Sequence, residues 1–522
     1  MLERRDYDTL KATFSWSLPA RLNMAAQVCD DWADTELDRV AIKDLAEMGR
    51  DLSYGDLRDM ADRLAHVLVA KGVARGDRVG VLRSQGGWCA AAHIAIWKIG
   101  AVSIPLFKLF REDALTSRVR DAGAKIVVTD AEGIDMLSVL AEVEAFVPEH
   151  ADLPDARAFE TAETGPDDPA VLIYTSGTTG SPKGALHGHR VLTGHLPGVE
   201  MQHDFLGQHE GDCLWTPADW AWIGGLFNIL MPGLCLGVPV VAARMPKFDV
   251  EECVKIIRQG AVRNIFFPPT ALRMLKAAAA RIDGLRTVAS GGEPLGAEML
   301  DWGRRAFGLT INEFYGQTEC NLVAASCQSL FDPKPGCIGK VVPGHELAVL
   351  DRDGEPTQDE GDVAVKRGSA SMMLEYWNRP EQTAEKFRGD WMLTGDRGVW
   401  DGDFLRFVGR EDDVITSSGY RIGPAEIEDC LLTHDAVATV GVVGKPDALR
   451  TEIVKAYVVV RDGVTADDAL AEALKTHVKE RLAGYSYPRE VTFLDALPMT
   501  VTGKVIRKEL KARAVAETEE EA

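Results

Sequence analysis

No Cys-x-x-Cys pair, and no His/Cys cluster at metal-binding spacing, occurs in these 522 residues, although nine cysteines are present. Zinc modules and a disulfide framework are therefore not expected; scattered thiols read as reduced, buried side chains of a cytoplasmic protein. Basic charge is also scarce. Lys and Arg total 58 against 80 Asp and Glu, a net charge of −22, which argues against nucleic acid or an anionic membrane as partner. An anionic ligand must then be held by local positive groups against the overall field. The first residues, Met1-Leu2-Glu3-Arg4-Arg5-Asp6, lack the apolar core of a signal peptide. One uncharged run, Ala221 to Ala243, is long enough to suggest a membrane span. It holds four glycines, two prolines and Asn228, so it reads as a buried helix–turn–strand beside a ligand pocket. The P-loop spacing is missing too.

What is present is an ordinary globular composition, 46% hydrophobic and 26% charged, in a chain too long for one core. Up to about Ala242, helical and short apolar strand patterns alternate. Asp56 to Ala70, Ala90 to Ile99 and Val250 to Gln259 read as helices. Arg78 to Leu82, Ala101 to Pro105, Ala124 to Thr129, Asn264 to Phe267 and Thr287 to Ser290 read as strands. This alternation predicts an α/β fold with mainly parallel sheets, whose ligands bind past the carboxyl ends of strands. After about Glu355 the pattern becomes β-rich, and beyond Asp412 a small α+β unit of helix, strand, strand, helix, strand follows.

The run Tyr174-Thr175-Ser176-Gly177-Thr178-Thr179-Gly180-Ser181-Pro182-Lys183-Gly184 follows the apolar strand Ala170 to Ile173. Glycines turn backbone N–H groups toward one point, hydroxyls add donors and lysine adds charge, a combination suited to nucleotide phosphates. In Asn312-Glu313-Phe314-Tyr315-Gly316-Gln317-Thr318-Glu319, Tyr315 is placed to stack on a purine, Thr318 to donate to a phosphate and Glu319 to hold Mg²⁺ by a hard oxygen. Further runs are Ser290-Gly291-Gly292-Glu293-Pro294-Leu295, Thr394-Gly395-Asp396 with Gly409-Arg410, Ser418-Gly419-Tyr420-Arg421 and Pro498-Met499-Thr500-Val501-Thr502-Gly503-Lys504.

Together these runs resemble the adenylate-forming superfamily from about Glu36 to about Lys508, closest to short- and medium-chain acyl-CoA synthetases. The resemblance implies a multi-subdomain N-terminal domain over 1–411 and a mobile C-terminal domain over 412–522, with a hinge at Asp412. It implies ATP, Mg²⁺ and coenzyme A, with the nucleotide held by Thr175, Ser176, Gly177, Thr178, Thr179, Gly180, Lys183, Tyr315 and Gln317. Gly292, Glu293 and Pro294 would wall the adenine, Asp396 and Arg410 would take the ribose, and Gly419 and Arg421 would meet coenzyme A. Lys504, Thr318 and Glu319 would be catalytic. Family members specific for acetate carry tryptophan where this chain has Gly316, so an acid larger than acetate is expected. Trp222, Ile223, Gly224, Gly316 and Asn321 would line its pocket. The expected reaction is acyl-adenylate formation followed by thioester formation, with release of pyrophosphate and AMP. Loading of a carrier protein and ligation of an aromatic acid are the alternatives. The partner is a small carboxylic acid, with neither nucleic acid nor a membrane span; the oligomeric state stays open.

Overall fold

The computed structural model describes residues 2–521 except 111, 152, 156–157, 176–182, 294, 411–412, 418–419, 448–449, 483–486 and 501–502. Its first long helix, Tyr54–Ala70, shows why the local pattern works. Ser53 Oγ accepts from the Asp56 amide (3.1 Å) and Asp56 Oδ2 accepts from the Ser53 amide (2.9 Å), closing a capping box. Leu57, Ala61, Leu64, Ala65 and Leu68 recur at helical spacing and are fully buried. The next helix, Gly87–Ile99, is buried almost all round and stops at Gly100, which takes φ +76°. It begins one turn earlier than its apolar run suggests, because the Gly87 amide is capped by Asp44 Oδ2 at 2.8 Å.

Two large sheets carry the N-terminal part. The nine-stranded sheet runs Lys340–Val341, Asn321–Ala325, Ile311–Gln317, Thr287–Gly291, Asn264–Phe266, Leu214–Trp215, Val240–Ala242, Val40–Asp44, Arg50–Ser53. Its centre is parallel and its outer pairs are antiparallel. The seven-stranded sheet runs Glu375–Tyr376, Lys183–Gly188, Pro169–Thr175, Val102–Pro105, Arg78–Leu82, Ile126–Thr129, Glu144–Phe146, again parallel except at the 183–188 end. The largest core, with Trp97, Met24 and Phe227 among its buried members, fills the space between helices and these sheets.

A five-stranded antiparallel sheet follows, built on Gly361–Lys366, Trp391–Asp401 and Phe404–Arg410; its first strand, Leu347–Leu350, precedes the expected change near Glu355. A last five-stranded sheet takes every strand from residues after 414, with the helices Pro424–Leu432 and Asp468–Arg481 packed on it. The α/β architecture with mainly parallel sheets and a small α+β unit is therefore as expected. The uncharged run 221–243 folds as a short helix at Ile223–Gly225, a π-helical turn, the helix Met231–Cys235 and the strand Val240–Ala242. Among the described residues no helix is long and apolar enough to cross a membrane.

Candidate active site

Parallel strands deliver their carboxyl ends to one crevice. Thr287–Gly291 and Ile311–Gln317 pair in parallel, with Gly291 opposite Phe314. Just past the first, Gly292 takes φ +100°, a conformation that favours glycine. A Cβ there would stand 3.6 Å from Lys504 Nζ, which reaches in from the C-terminal unit. The lysine sits on a tight turn: Thr500 Oγ1 accepts from the Lys504 amide (3.0 Å) and the Lys504 carbonyl accepts from the Thr500 amide (2.7 Å). Gly503, at φ +81°, approaches Thr270 of the nine-stranded sheet's flank.

The lysine keeps exposed surface in an open crevice while protein atoms crowd it from several sides. Loss of hydration pushes its pKa below the ordinary lysine value; Glu293 and Asp396 act against that, and Arg410 adds to it. Glu293 is already paired with Arg273 at 2.9 Å.

The second strand places Tyr315, Gln317, Thr318 and Glu319 in succession. Tyr315 donates its hydroxyl to Asp396 Oδ2 (2.6 Å), and Gln317 Nε2 donates to the same oxygen (2.6 Å) and to the Thr394 carbonyl (2.9 Å). Asp396 and Arg410 face each other across the strand pair Trp391–Asp401 and Phe404–Arg410, with Arg410 Nε 3.8 Å from Asp396 Oδ1. Burial raises the Asp396 pKa, opposed by the Tyr315 hydrogen bond, Arg410 and Gln317. One carboxylate oxygen is thus engaged by the protein, while the other lies toward Arg410.

Glu319 is buried, and its Oε1 accepts a 2.5 Å hydrogen bond from Tyr376. A single hard carboxylate with a second oxygen uncommitted suits Mg²⁺, an ion that completes its shell with water and phosphate oxygens. Among the described residues no group of three or more His, Cys, Asp or Glu forms a protein-only metal cage. Cys320, next in sequence, is no nucleophile: burial pushes its thiol up to about 12.

The hairpin of Pro169–Thr175 and Lys183–Gly188 pairs Thr175 with Lys183 at its open end. Between them Ser176, Gly177, Thr178, Thr179 and Gly180 lie outside the described residues, as do Pro294, Asp412 and Gly419. For Arg421 the backbone is described, in the strand Tyr420–Ile422 opposite Thr416.

On the acid side, Trp222 packs its ring against Phe107 (5.3 Å) and Phe110 (5.8 Å). Ile223 is partly buried against the main core, and a Cβ on Gly224 would touch Phe266 at 3.0 Å. One expectation needs correction. Gly316 is not an open pocket floor: a Cβ there would meet the Asn321 carbonyl oxygen at 1.6 Å, because a register shift between Tyr315 and Gly316 turns that position onto the neighbouring strand. Asn321 is buried, and its amide oxygen has no partner among the described residues. It holds φ +59° at the turn and donates Nδ2 to the Ser371 carbonyl at 2.7 Å, a left-handed position that asparagine tolerates.

Three neighbours of the site went unnoticed at the level of sequence: Arg273, Tyr376 and His187. Burial drives the His187 pKa down to about 3, so the ring is neutral, and it lies beside the Thr318 backbone.

A family model described as AMP-binding enzyme matches residues 29–377, and one described as AMP-binding enzyme C-terminal domain matches 426–504. The chain belongs to the AMP-binding enzyme family. Among its relatives, acetyl-coenzyme A synthetase of Bacillus subtilis is 34% identical, covering 97% of this chain and 95% of that protein. The mitochondrial acyl-coenzyme A synthetase ACSM3 of Mus musculus is 31% identical over 97% of this chain and 93% of its own. Among solved structures, an acyl-CoA synthetase of Brucella canis matches with TM-score 0.73 and 32% identity, covering 98% and 99% of the two chains. The anthranilate CoA ligase AuaEII bound to anthranoyl-AMP matches with TM-score 0.87 and 25% identity over 96% and 99%. This member of the AMP-binding enzyme family is an acid–thiol ligase of the acyl-CoA synthetase kind.

Proposed function

We propose that the chain is an ATP-dependent, AMP-forming acyl-CoA synthetase for short- to medium-chain carboxylic acids, acting in the cytoplasm. The observation that carries this reading is the meeting of Lys504 from the C-terminal unit with Gly292, Asp396 and Arg410 in one crevice. A carboxylate is a poor acyl donor because oxide is a poor leaving group. Attack of a substrate carboxylate oxygen on the α-phosphorus of ATP expels pyrophosphate and makes an acyl-adenylate. A thiolate then attacks the acyl carbon and AMP departs, so one hard step becomes two easier ones. Lys504 places its ammonium beside the negative charge that grows at the α-phosphate. Asp396 takes the ribose hydroxyls, with Tyr315 and Gln317 fixing its other oxygen and Arg410 alongside. Thr175, Lys183 and Thr318 take the phosphates, together with residues 176–180. Glu319 would hold Mg²⁺, which supplies charge neutralisation to the phosphates. For the second step the C-terminal unit, 412–522, turns about Asp412, withdrawing Lys504 and presenting Gly419 and Arg421 to coenzyme A.

Trp222, Phe107, Phe110 and Ile223 support an apolar acid. The same ring cluster, and the likeness to the anthranilate ligase, favour an aromatic acid as the second reading. Pyrophosphate release with ATP, Mg²⁺ and coenzyme A, across acids from acetate to decanoate plus benzoate and anthranilate, separates the two. Best turnover is expected between roughly four and ten carbons. A preference for the aromatic acids would establish the second reading. Activation of an acid without any coenzyme A dependence, with mass gain on a carrier protein, would replace both.

A further inference from the structure

Glu319, in the turn after the strand Ile311–Gln317, and Lys183, at the start of a strand of the other large sheet, are opposite in charge and flank the same tyrosine. Tyr376 is 4% exposed. Its hydroxyl donates to Glu319 Oε1, and Lys183 Nζ lies 5.3 Å from the centre of its ring. The tyrosine is itself held in place. It pairs with Ala185 on the strand Lys183–Gly188, its amide donates to Thr383 Oγ1 at 2.9 Å, and the adjacent Trp377 amide donates to the Gly184 carbonyl at 2.7 Å. Three residues earlier, the Met373 amide donates to the Glu319 carbonyl at 2.8 Å. Among the described residues, the contacts seen for the two charged groups are the tyrosine hydroxyl on Glu319 and the tyrosine ring beside Lys183, with no ion pair to either.

A lysine and a carboxylate that can reach each other tend to pair, and a carboxylate in an ion pair offers a cation less net charge and one oxygen fewer. The phenol ring instead offers the ammonium a π face, and the phenol hydroxyl fills one oxygen of the carboxylate. We propose that Tyr376 is a positioning residue that keeps Glu319 and Lys183 apart, leaving Glu319 Oε2 for a divalent cation and the Lys183 ammonium for a phosphate. The inference rests on the functional reading above, in which these two residues serve metal and nucleotide.

The test uses the full-length protein, Mn²⁺ as a paramagnetic probe and an ATP analogue with an unreactive α,β-methylene bridge. Binding is read by electron paramagnetic resonance, and folding by melting temperature. Tyr376→Phe keeps the ring and removes the hydroxyl. It should weaken nucleotide-dependent Mn²⁺ binding about tenfold, with only a small drop in melting temperature from the lost hydrogen bond. In a Glu319→Asp background, where the carboxylate is drawn back from the hydroxyl, the same substitution should cost nothing further. Loss of Mn²⁺ binding in Glu319→Gln but not in Tyr376→Phe would overturn the role of Tyr376 alone. Full additivity of Glu319→Asp and Tyr376→Phe would overturn it as well. Undiminished Mn²⁺ binding in Glu319→Gln would remove the metal assignment, and the inference with it.

Discussion

Lys98 is buried and Lys504 keeps exposed surface, and their charges are treated in opposite ways. Lys98 is 1% exposed, in the last turn of the helix Gly87–Ile99, with Asp30 at 2.5 Å and Asp62 at 2.7 Å. Burial pushes its pKa down, yet the two carboxylates outweigh burial and hold it above the ordinary value. Asp62 is itself raised by burial, so Asp30, the nearer partner, is the firmer counter-ion. Lys504 keeps exposed surface, and the protein around it lowers its pKa although Glu293 and Asp396 act the other way. The carboxylate of Glu293 is bound to Arg273, and Asp396 is held by Tyr315 and Gln317. A lysine with its charge satisfied is part of the scaffold; one beside carboxylates already engaged suits the anion-binding role proposed above.

Substitutions should separate the two roles. Lys504→Ala is expected to cut adenylation by about a hundred- to a thousandfold with no change in melting temperature, while thioester formation from supplied acyl-adenylate persists. Equal loss of both half-reactions would end the comparison, because Lys504 would then be structural as well. Lys98→Met should do the reverse. Two buried carboxylates lose their partner, so stability should fall by about 3–5 kcal/mol, while turnover per folded molecule stays unchanged. Chemical denaturation with an active-site titration reads both quantities. The comparison sharpens further with pH. Since the Lys504 pKa is lowered, the adenylation rate should fall on the alkaline side at a pH below the ordinary lysine value of 10.5. A limb at or above that value would mean the crevice stays well hydrated.

Much of the architecture was legible from pattern. Strands such as Arg78–Leu82 and Glu490–Phe493 and the helix Val250–Gln259 carry apolar runs or helical periods bounded by turn residues, so local sequence decides them. Gly292 and Thr318 stood out as polar or glycine residues directly after an apolar strand, whereas Asp396, in the middle of the strand Trp391–Asp401, was picked out only through the family resemblance. Tyr376 was not legible, because an aromatic beside a tryptophan reads as core, and its partners come from strands distant in sequence. Gly316 was misread because its direction depends on a register shift in the pairing of two strands, and residue type carries no record of such a shift. The burial of Lys98 comes from tertiary packing against Asp30 and Asp62, which the helical pattern of 90–99 does not encode.

Glu313 extends the contrast to an acid, with a smaller expected effect. It lies in the strand Ile311–Gln317, 8% exposed, and accepts from the Leu295 amide at 3.3 Å. Burial pushes its pKa up to about 8; the Leu295 hydrogen bond opposes this, and Asp429 of the C-terminal unit adds to it. Here charge is removed by a proton rather than by a partner. The ordinary value is 4.5, so between 4.5 and about 8 the folded chain holds a proton that the unfolded chain has released. The stabilisation from this proton is complete below 4.5, declines as pH rises, and is gone above about 8. Glu313→Gln keeps the shape and stays neutral throughout. Its melting temperature should therefore decline less with pH across that window than that of the unaltered chain. Parallel declines would show that Glu313 ionises in the fold, and that Asp429 and the crevice water tolerate a charge that the packing argument forbids.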